Sequence, residues 1–69
     1  MNKNLLIVGA GIYSMVAADI AREMKCFEKI DFVDDVREQT LDGQKVIGKI
    51  ADLDKFSIEY SNIIIAIGN

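Results

Sequence analysis

The sequence predicts an α/β domain whose core is a parallel β-sheet. Two uninterrupted apolar runs, residues 4–9 and 62–68, have the composition of strands that are buried on both faces. Between them lies a segment with helical periodicity, followed by shorter strand-like runs. Strands that alternate with helices are joined by crossovers, and crossovers place the strands parallel to each other.

The first half of the chain predicts one strand and one long helix. Residues 4–9 form the strand, and residues 11–26 form an amphipathic helix of about four turns. Its charged positions are Asp19, Arg22, Glu23 and Lys25. Its large apolar positions are expected to face the core, namely Ile12, Val16, Ile20 and Met24, with Met15 and Phe27 beside them. Its alanines, Ala17, Ala18 and Ala21, favour a helix and allow close approach to a sheet. Cys26, at the end of this helix, is expected to be a buried thiol.

The second half predicts three more strands and a short helix. Residues 29–35 and 45–50 contain the second and third strands, the third at a sheet edge, with an Asp42-Gly43 turn between them. Residues 51–56 supply one or two helical turns, and residues 62–68 form a second central strand. The expected strand order is 3-2-1-4, the first half of a doubly wound sheet. Residues 1–69 are therefore expected to form a single Rossmann-like half-domain.

A glycine corner, Gly9-Ala10-Gly11, follows the first strand. Gly9 can adopt backbone angles that turn the chain sharply, and Gly11 leaves room for a phosphate beside the backbone. The dinucleotide fingerprint is G-x-G-x-x-G/A, and Ser14 is a small substitute at its last position. The fingerprint also expects an acidic residue about 20 positions further on to bind a ribose hydroxyl, and Asp34 has that place. The pattern predicts a nucleotide-type ligand.

Each of these residues also has a purely structural interpretation. A Gly-x-Gly after a strand is often a plain turn, and Asp34 with Asp35 is ordinary for a solvated strand end. Tyr13 either stacks on a base or sugar or is a surface tyrosine. Gly68 is either the first residue of a loop or part of a ligand site. The ligand site is favoured because Gly68 follows the fourth strand at the same sheet edge, where the strand order reverses and open α/β sheets bind ligands.

Composition argues against several classes of protein. Eight Lys and Arg against eleven Asp and Glu give a net charge of −3, which argues against nucleic acid as the partner. The absence of histidine and the single cysteine argue against a zinc site and exclude an intramolecular disulfide. The apolar N-terminal stretch is too short to span a membrane. We expect a cytoplasmic domain without metal that self-associates through apolar faces around Ile63, Ile65 and Ile67.

The short motifs LLIVGAG, FVDD, VIG and IIIAIGN together resemble a known family. The chain is similar to the N-terminal domain of bacterial sugar O- and N-acetyltransferases of the sialic acid and bacillosamine type. The resemblance implies that this domain binds a nucleotide sugar, usually uridine-linked. It also implies a longer, oligomeric protein in which a C-terminal left-handed β-helix binds acetyl-coenzyme A. The implied substrate-binding residues are Gly9, Gly11, Ile12, Tyr13, Asp34, Asp35 and Gly68.

The chain departs from the family pattern in the glycine corner. Ile12 stands where the family has glycine, Tyr13 where it has histidine, and Ser14 where it has glycine. The family's histidine base and its hexapeptide repeats are both missing, so we expect no catalytic residue and no cofactor in these 69 residues. Two alternatives stay open: the NAD(H)-binding domain of a nucleotide-sugar dehydratase or epimerase, and an interaction domain with an empty site.

Overall fold

A computed structural model describes residues 1–67. Strand β1 spans Asn4–Val8 and leads into helix α1, Ile12–Met24. Strand β2 spans Lys29–Val33 and strand β3 spans Val46–Gly48. A 3₁₀ helix, Ile50–Asp52, continues directly into helix α2, Leu53–Phe56, and strand β4 spans Asn62–Ile65.

The four strands form one parallel sheet in the order β3-β2-β1-β4. This confirms the predicted α/β fold class and the predicted strand order. Leu5 pairs with Ile30 of β2 on one side and with Asn62 of β4 on the other. The strand order reverses beside β1, so the carboxyl ends of β1 and β4 flank the point where such sheets bind ligands.

The core has two layers, one on each face of the sheet. On one face, Leu5, Ile7 and Phe32 pack against α1. On the other face, Leu6, Val8 and Val33 pack against Tyr60 and the region of α2. Strand β1 is therefore buried on both faces, as its uninterrupted apolar run predicted.

Helix α1 meets the sheet through its small residues and not through the four large apolar residues predicted to face the core. Ser14, Ala18 and Ala21 are buried, and Met15 and Phe27 pack partly buried against the core, as predicted for the alanines and for these two residues. The four other predicted core positions are 54% to 66% exposed, namely Ile12, Val16, Ile20 and Met24. Small side chains let the helix approach the sheet closely, and this proximity outweighs the larger apolar area of the opposite stripe.

Two further expectations are corrected by the positions of element ends. Cys26 is exposed, not buried. Helix α1 ends at Met24, and Lys25 adopts a left-handed conformation with φ of 54°, so Cys26 lies in the connection beyond the helix. Strand β4 pairs only with β1 in the described sheet, so it is an edge strand and not a central one. It is also not buried on both faces as its apolar run predicted, since Ile63, Ile64 and Ile65 are 40% to 74% exposed.

Candidate functional site

The sharp turn that ends β1 requires glycine at Gly9. Its φ of +123° lies outside the range that other residues adopt comfortably, and an added Cβ would lie 2.7 Å from the carbonyl oxygen of Ala66. The Gly9 N–H donates to the Val33 carbonyl at 2.7 Å. The corner is therefore held between the end of β2 and the segment after β4, and the fold itself requires glycine here.

Gly11 is glycine for a different reason. It is the N-cap of α1 with φ of −93°, which any residue can adopt, and the nearest atom to an added Cβ is the Arg37 Nε at 3.9 Å. Its carbonyl accepts the Met15 N–H at 3.2 Å and the Ser14 hydroxyl at 2.6 Å. The fold does not demand glycine at this position, and the missing side chain leaves the start of α1 open.

The start of α1 is electropositive. The first N–H groups of a helix have no acceptor within it, and the helix dipole adds a partial positive charge. The first turn of α1 contains no acidic residue that would neutralise this charge. The N–H groups at the start of α1 can therefore donate to an anionic group, beside the Asp34 carboxylate that already accepts the Ala10 N–H.

Asp34 ties the glycine corner to the loop after β2. Its Oδ2 accepts the Ala10 N–H at 2.9 Å, and its Oδ1 accepts the N–H groups of Val36 and Arg37 at 2.8 Å each. A carboxylate has about four acceptor positions, so roughly one remains for a further donor. Asp34 both shapes the corner and retains the capacity to bind a hydroxyl.

The protonation state of Asp34 follows from these contacts. Partial burial acts to raise its pKa, but the N–H donors of Arg37, Val36 and Ala10 together outweigh burial, and the nearby Arg37 charge adds to them. The net effect is a pKa below the usual range of an aspartate. Asp34 is therefore a charged acceptor at neutral pH.

Asp35 points to a different part of the molecule. Its Oδ1 accepts the Ile50 N–H at 3.0 Å, and its backbone carbonyl accepts the Lys49 ammonium at 3.1 Å. These contacts fasten the loop after β2 to the beginning of the 3₁₀ helix. The structure does not bring Asp35 together with Asp34 at the glycine corner.

A cleft of about 810 Å³ opens at the carboxyl ends of β1 and β4. This volume is within the range of about 300 to 1,000 Å³ that small-molecule sites occupy. Tyr13 lines this cleft and is 56% exposed. Five of the predicted site residues line it, and Gly68 lies outside the described residues. The lining consists of Gly9, Ala10, Gly11, Ile12, Tyr13, Asp34, Val36, Arg37, Ala66 and Ile67.

Arg37 is a functional candidate that the sequence interpretation missed. It lines the cleft, and its Nε lies 3.9 Å from the position of a Cβ on Gly11. The ion pairs of residues 1–67 do not include it. A guanidinium beside a helix start can bind a phosphate. No sequence motif includes Arg37, and its closeness to Asp34 in sequence is the one signal that could have identified it.

A second cleft of about 510 Å³ adjoins the first along β3. Asp34 and Arg37 line both cavities. Lys45 and Lys49 add two further cations to the second cleft, and Glu38 adds a carboxylate. The edge of the sheet beyond β2 and β3 is therefore richer in positive charge than the chain as a whole.

Two other kinds of site are not found in the described residues. No group of His, Cys, Asp and Glu within residues 1–67 is arranged to hold a metal ion. No helix in that range is long and apolar enough to cross a membrane.

The chain matches one family model, described as the PglD N-terminal domain, over residues 4–69. No curated protein and no solved structure matches it. The family match agrees with the resemblance to sugar acetyltransferases that the motifs predicted. Because the match extends over nearly the whole sequence, the chain belongs to the PglD N-terminal domain family.

Proposed function

We propose that this domain binds a uridine nucleotide sugar in the cleft at the glycine corner, as the substrate-binding part of a sugar acetyltransferase. The observation that carries the proposal is the convergence of the open start of α1 and the Arg37 guanidinium on one cleft, at the reversal of strand order. A diphosphate is the group that suits two such positive features. Membership of the PglD N-terminal domain family favours a nucleotide sugar over NAD.

Each residue has a distinct role in this proposal. The N–H groups that follow Gly11 bind phosphate oxygens, and Arg37 pairs with the same group from the side. The remaining acceptor position of Asp34 takes a ribose hydroxyl. The exposed ring of Tyr13 packs beside the sugar or the base.

We propose that acetyl transfer takes place in a different domain. The 69 residues contain no histidine to act as the base, so we assign acetyl-coenzyme A binding and catalysis to a further domain of a longer protein. A homo-oligomeric assembly is part of the proposal as well. A cytoplasmic location is also included, since a reducing compartment suits a chain with one unpaired cysteine.

Calorimetric titration tests the proposal with three ligands: uridine diphosphate N-acetylglucosamine, NAD and inorganic phosphate. We expect the uridine nucleotide sugar to bind most tightly. Arg37→Gln should weaken that binding by about tenfold, which corresponds to about 1.4 kcal/mol, because a charge-assisted contact to phosphate is lost. The matched control is Arg22→Gln, which removes an arginine on α1 that is paired with Asp19 and lies outside the cleft.

Other results of the titration would contradict the uridine assignment or the role of Arg37. Tighter binding of NAD would replace the uridine assignment with the dehydratase-type alternative. Binding of neither nucleotide would favour an interaction domain. Equal losses in Arg37→Gln and Arg22→Gln would show a general charge effect and remove Arg37 from the site.

A further inference from the structure

The second cleft, the cavity of about 510 Å³ along β3, contains a cluster of cations. Arg37, Lys45 and Lys49 line it. Within residues 1–67, none of the three forms an ion pair with a carboxylate. The carboxylates of Asp34 and Glu38 also line the cleft, so three positive charges face two negative ones. The function proposed above uses Arg37 and Asp34 but assigns no role to the two lysines.

The Asp34 carboxylate does not depend on these lysines for its stability. It accepts three backbone N–H groups, from the glycine corner and from the loop after β2. Glu38 is exposed to solvent, where charges interact weakly. The positive charges of Lys45 and Lys49 are therefore available to a ligand.

Lys49 is held at the wall of the second cleft. Its ammonium donates to the backbone carbonyl of Asp35 at 3.1 Å, and the N–H of the next residue, Ile50, donates to the Asp35 carboxylate at 3.0 Å. A lysine ammonium has three N–H donors, so two remain for a ligand. Lys45 is exposed at the other end of β3. The two lysines therefore flank β3 on the side of the cleft.

The two clefts meet at Asp34, which lines both. In the proposed function Asp34 accepts one ribose hydroxyl, and the second hydroxyl of the same ribose is bonded to the neighbouring carbon atom. A group on that second hydroxyl therefore lies close to the second cleft. We propose that the second cleft is a phosphate subsite, so that the domain binds nucleotides with a phosphate on the ribose. This inference rests on the proposed function, because it places a ribose at Asp34.

A phosphate ester matches the two lysines in charge and in hydrogen bonding. It carries about −1.5 to −2 charges at pH 7 and has three acceptor oxygens. Lysine binds phosphate as a point charge and does not need the fixed geometry of a guanidinium. A neutral base would gain much less from these charges. Since ribose-phosphorylated nucleotides and nucleotide sugars use the same first cleft, they should compete for it.

Calorimetric titration of the 69-residue chain tests the subsite with three ligands that share one base. These are uridine 5′-monophosphate, uridine 2′,5′-bisphosphate and uridine 3′,5′-bisphosphate. We expect a bisphosphate to bind about tenfold more tightly than the monophosphate. The bisphosphate that binds more tightly identifies the ribose hydroxyl that faces the second cleft.

Lysine variants locate the source of this preference. The double variant Lys45→Gln with Lys49→Gln should lose it, whereas Lys49→Arg should keep it because the charge is retained. The matched control is Lys3→Gln, which removes an exposed lysine outside both clefts and should leave the preference unchanged. Circular dichroism checks that each variant is folded.

Three results would overturn the phosphate subsite. The first is equal affinity of the wild type for the monophosphate and both bisphosphates, or no binding of any of them. The second is a preference that persists in the double lysine variant. The third is an equal loss of preference in Lys3→Gln, which would show a general charge effect.

The subsite and the proposed function can fail separately. Uridine diphosphate N-acetylglucosamine has no phosphate on its ribose, so its affinity should change by less than about twofold in the double variant. Binding of this nucleotide sugar without a preference for bisphosphates would remove the subsite and leave the proposed function. A lysine-dependent preference for a bisphosphate without binding of the nucleotide sugar would leave the subsite and remove the sugar assignment.

Discussion

At the scale of single residues, Asp34 both holds the glycine corner in place and is a candidate ligand-binding group. Three backbone N–H groups converge on its carboxylate, from the glycine corner on one side and from the loop after β2 on the other. The side chain is therefore part of the fold before any ligand arrives. A loss of ligand binding in an Asp34 variant would have to be separated from a loss of the corner itself.

Replacement of Asp34 by asparagine should lower the free energy of unfolding at pH 7 by about 1 to 3 kcal/mol. The amide keeps one oxygen but turns an NH₂ group towards backbone donors, so part of the hydrogen bonding is lost. Because the native pKa of Asp34 lies below its usual range, this contribution is fully present above the unfolded pKa of about 3.9. It is lost as the pH falls through the native pKa.

Urea titrations of both proteins between about pH 7 and pH 2 measure this effect. The difference between wild type and Asp34→Asn should shrink as the pH falls below about 4. Asp54→Asn, at an exposed acid on α2, serves as the control. A difference that stays constant over the whole range would show that the charge of Asp34 does not stabilise the corner.

The candidate site was only partly predictable from these residues. Gly9 and Asp34 could be placed because a fingerprint defines their spacing, and a strand end brings them together. Asp35 is adjacent in sequence, but it follows a strand end, where successive side chains diverge, and it bonds to Ile50 instead. Arg37 belongs to no motif, and its place beside Gly11 depends on the path of the loop after β2.

At the scale of elements, Tyr60 joins the segment before β4 to strand β2. Its buried hydroxyl donates to Asp31, and its ring packs edge-on against Phe56, with centroids 6.1 Å apart. The Lys29 ammonium lies 5.2 Å from the ring centroid and pairs with Glu59. Burial, followed by the hydrogen bond to Asp31, raises the pKa of Tyr60 to about 12.

We expect Tyr60 to ionise later than an ordinary tyrosine, whose pKa is about 10. Since the unfolded chain loses this proton first, the contribution of Tyr60 to stability is present below about pH 10 and is lost as the pH rises towards 12. In a Tyr13→Phe chain Tyr60 is the remaining tyrosine, so ultraviolet absorbance reports its ionisation directly. An unshifted titration in the folded protein would contradict the buried hydrogen bond.

The predictability of the fold differs between strands and helix. The apolar runs of β1 and β4 identified strands, and alternation with helical segments predicted their parallel order. The buried face of α1 was predictable only in part. Ala18 and Ala21 approach the sheet, as their small size predicted, whereas Ile12, Val16 and Ile20 are exposed, because hydrophobicity alone does not tell which of two apolar faces meets the sheet.

At the scale of the whole molecule, positive charge is concentrated at the two clefts and the expected stability is low. The chain is acidic overall, yet three of its eight cations line the two adjoining clefts: Arg37, Lys45 and Lys49. A chain of this size buries only about 60% of the surface that its unfolded form exposes, so its stability is marginal. Binding of a ligand should therefore be visible as a gain in stability.

We expect the 69-residue chain to be stabilised by a uridine nucleotide sugar but not to acetylate it. At a ligand concentration of about 100 times the dissociation constant, binding adds about 2.7 kcal/mol, which raises the Tm of a domain this small by roughly 10 to 20 °C. Acetyl transfer is not expected, because the sequence contains no histidine to remove a proton from the acceptor. Differential scanning fluorimetry measures the shift, with Arg37→Gln and Arg22→Gln as the matched pair of variants. Mass spectrometry of the sugar after incubation with acetyl-coenzyme A measures the reaction. Acetylated product above a heat-denatured control would show that the chain holds its own catalytic group, and a Tm unchanged by the ligand would contradict the binding role.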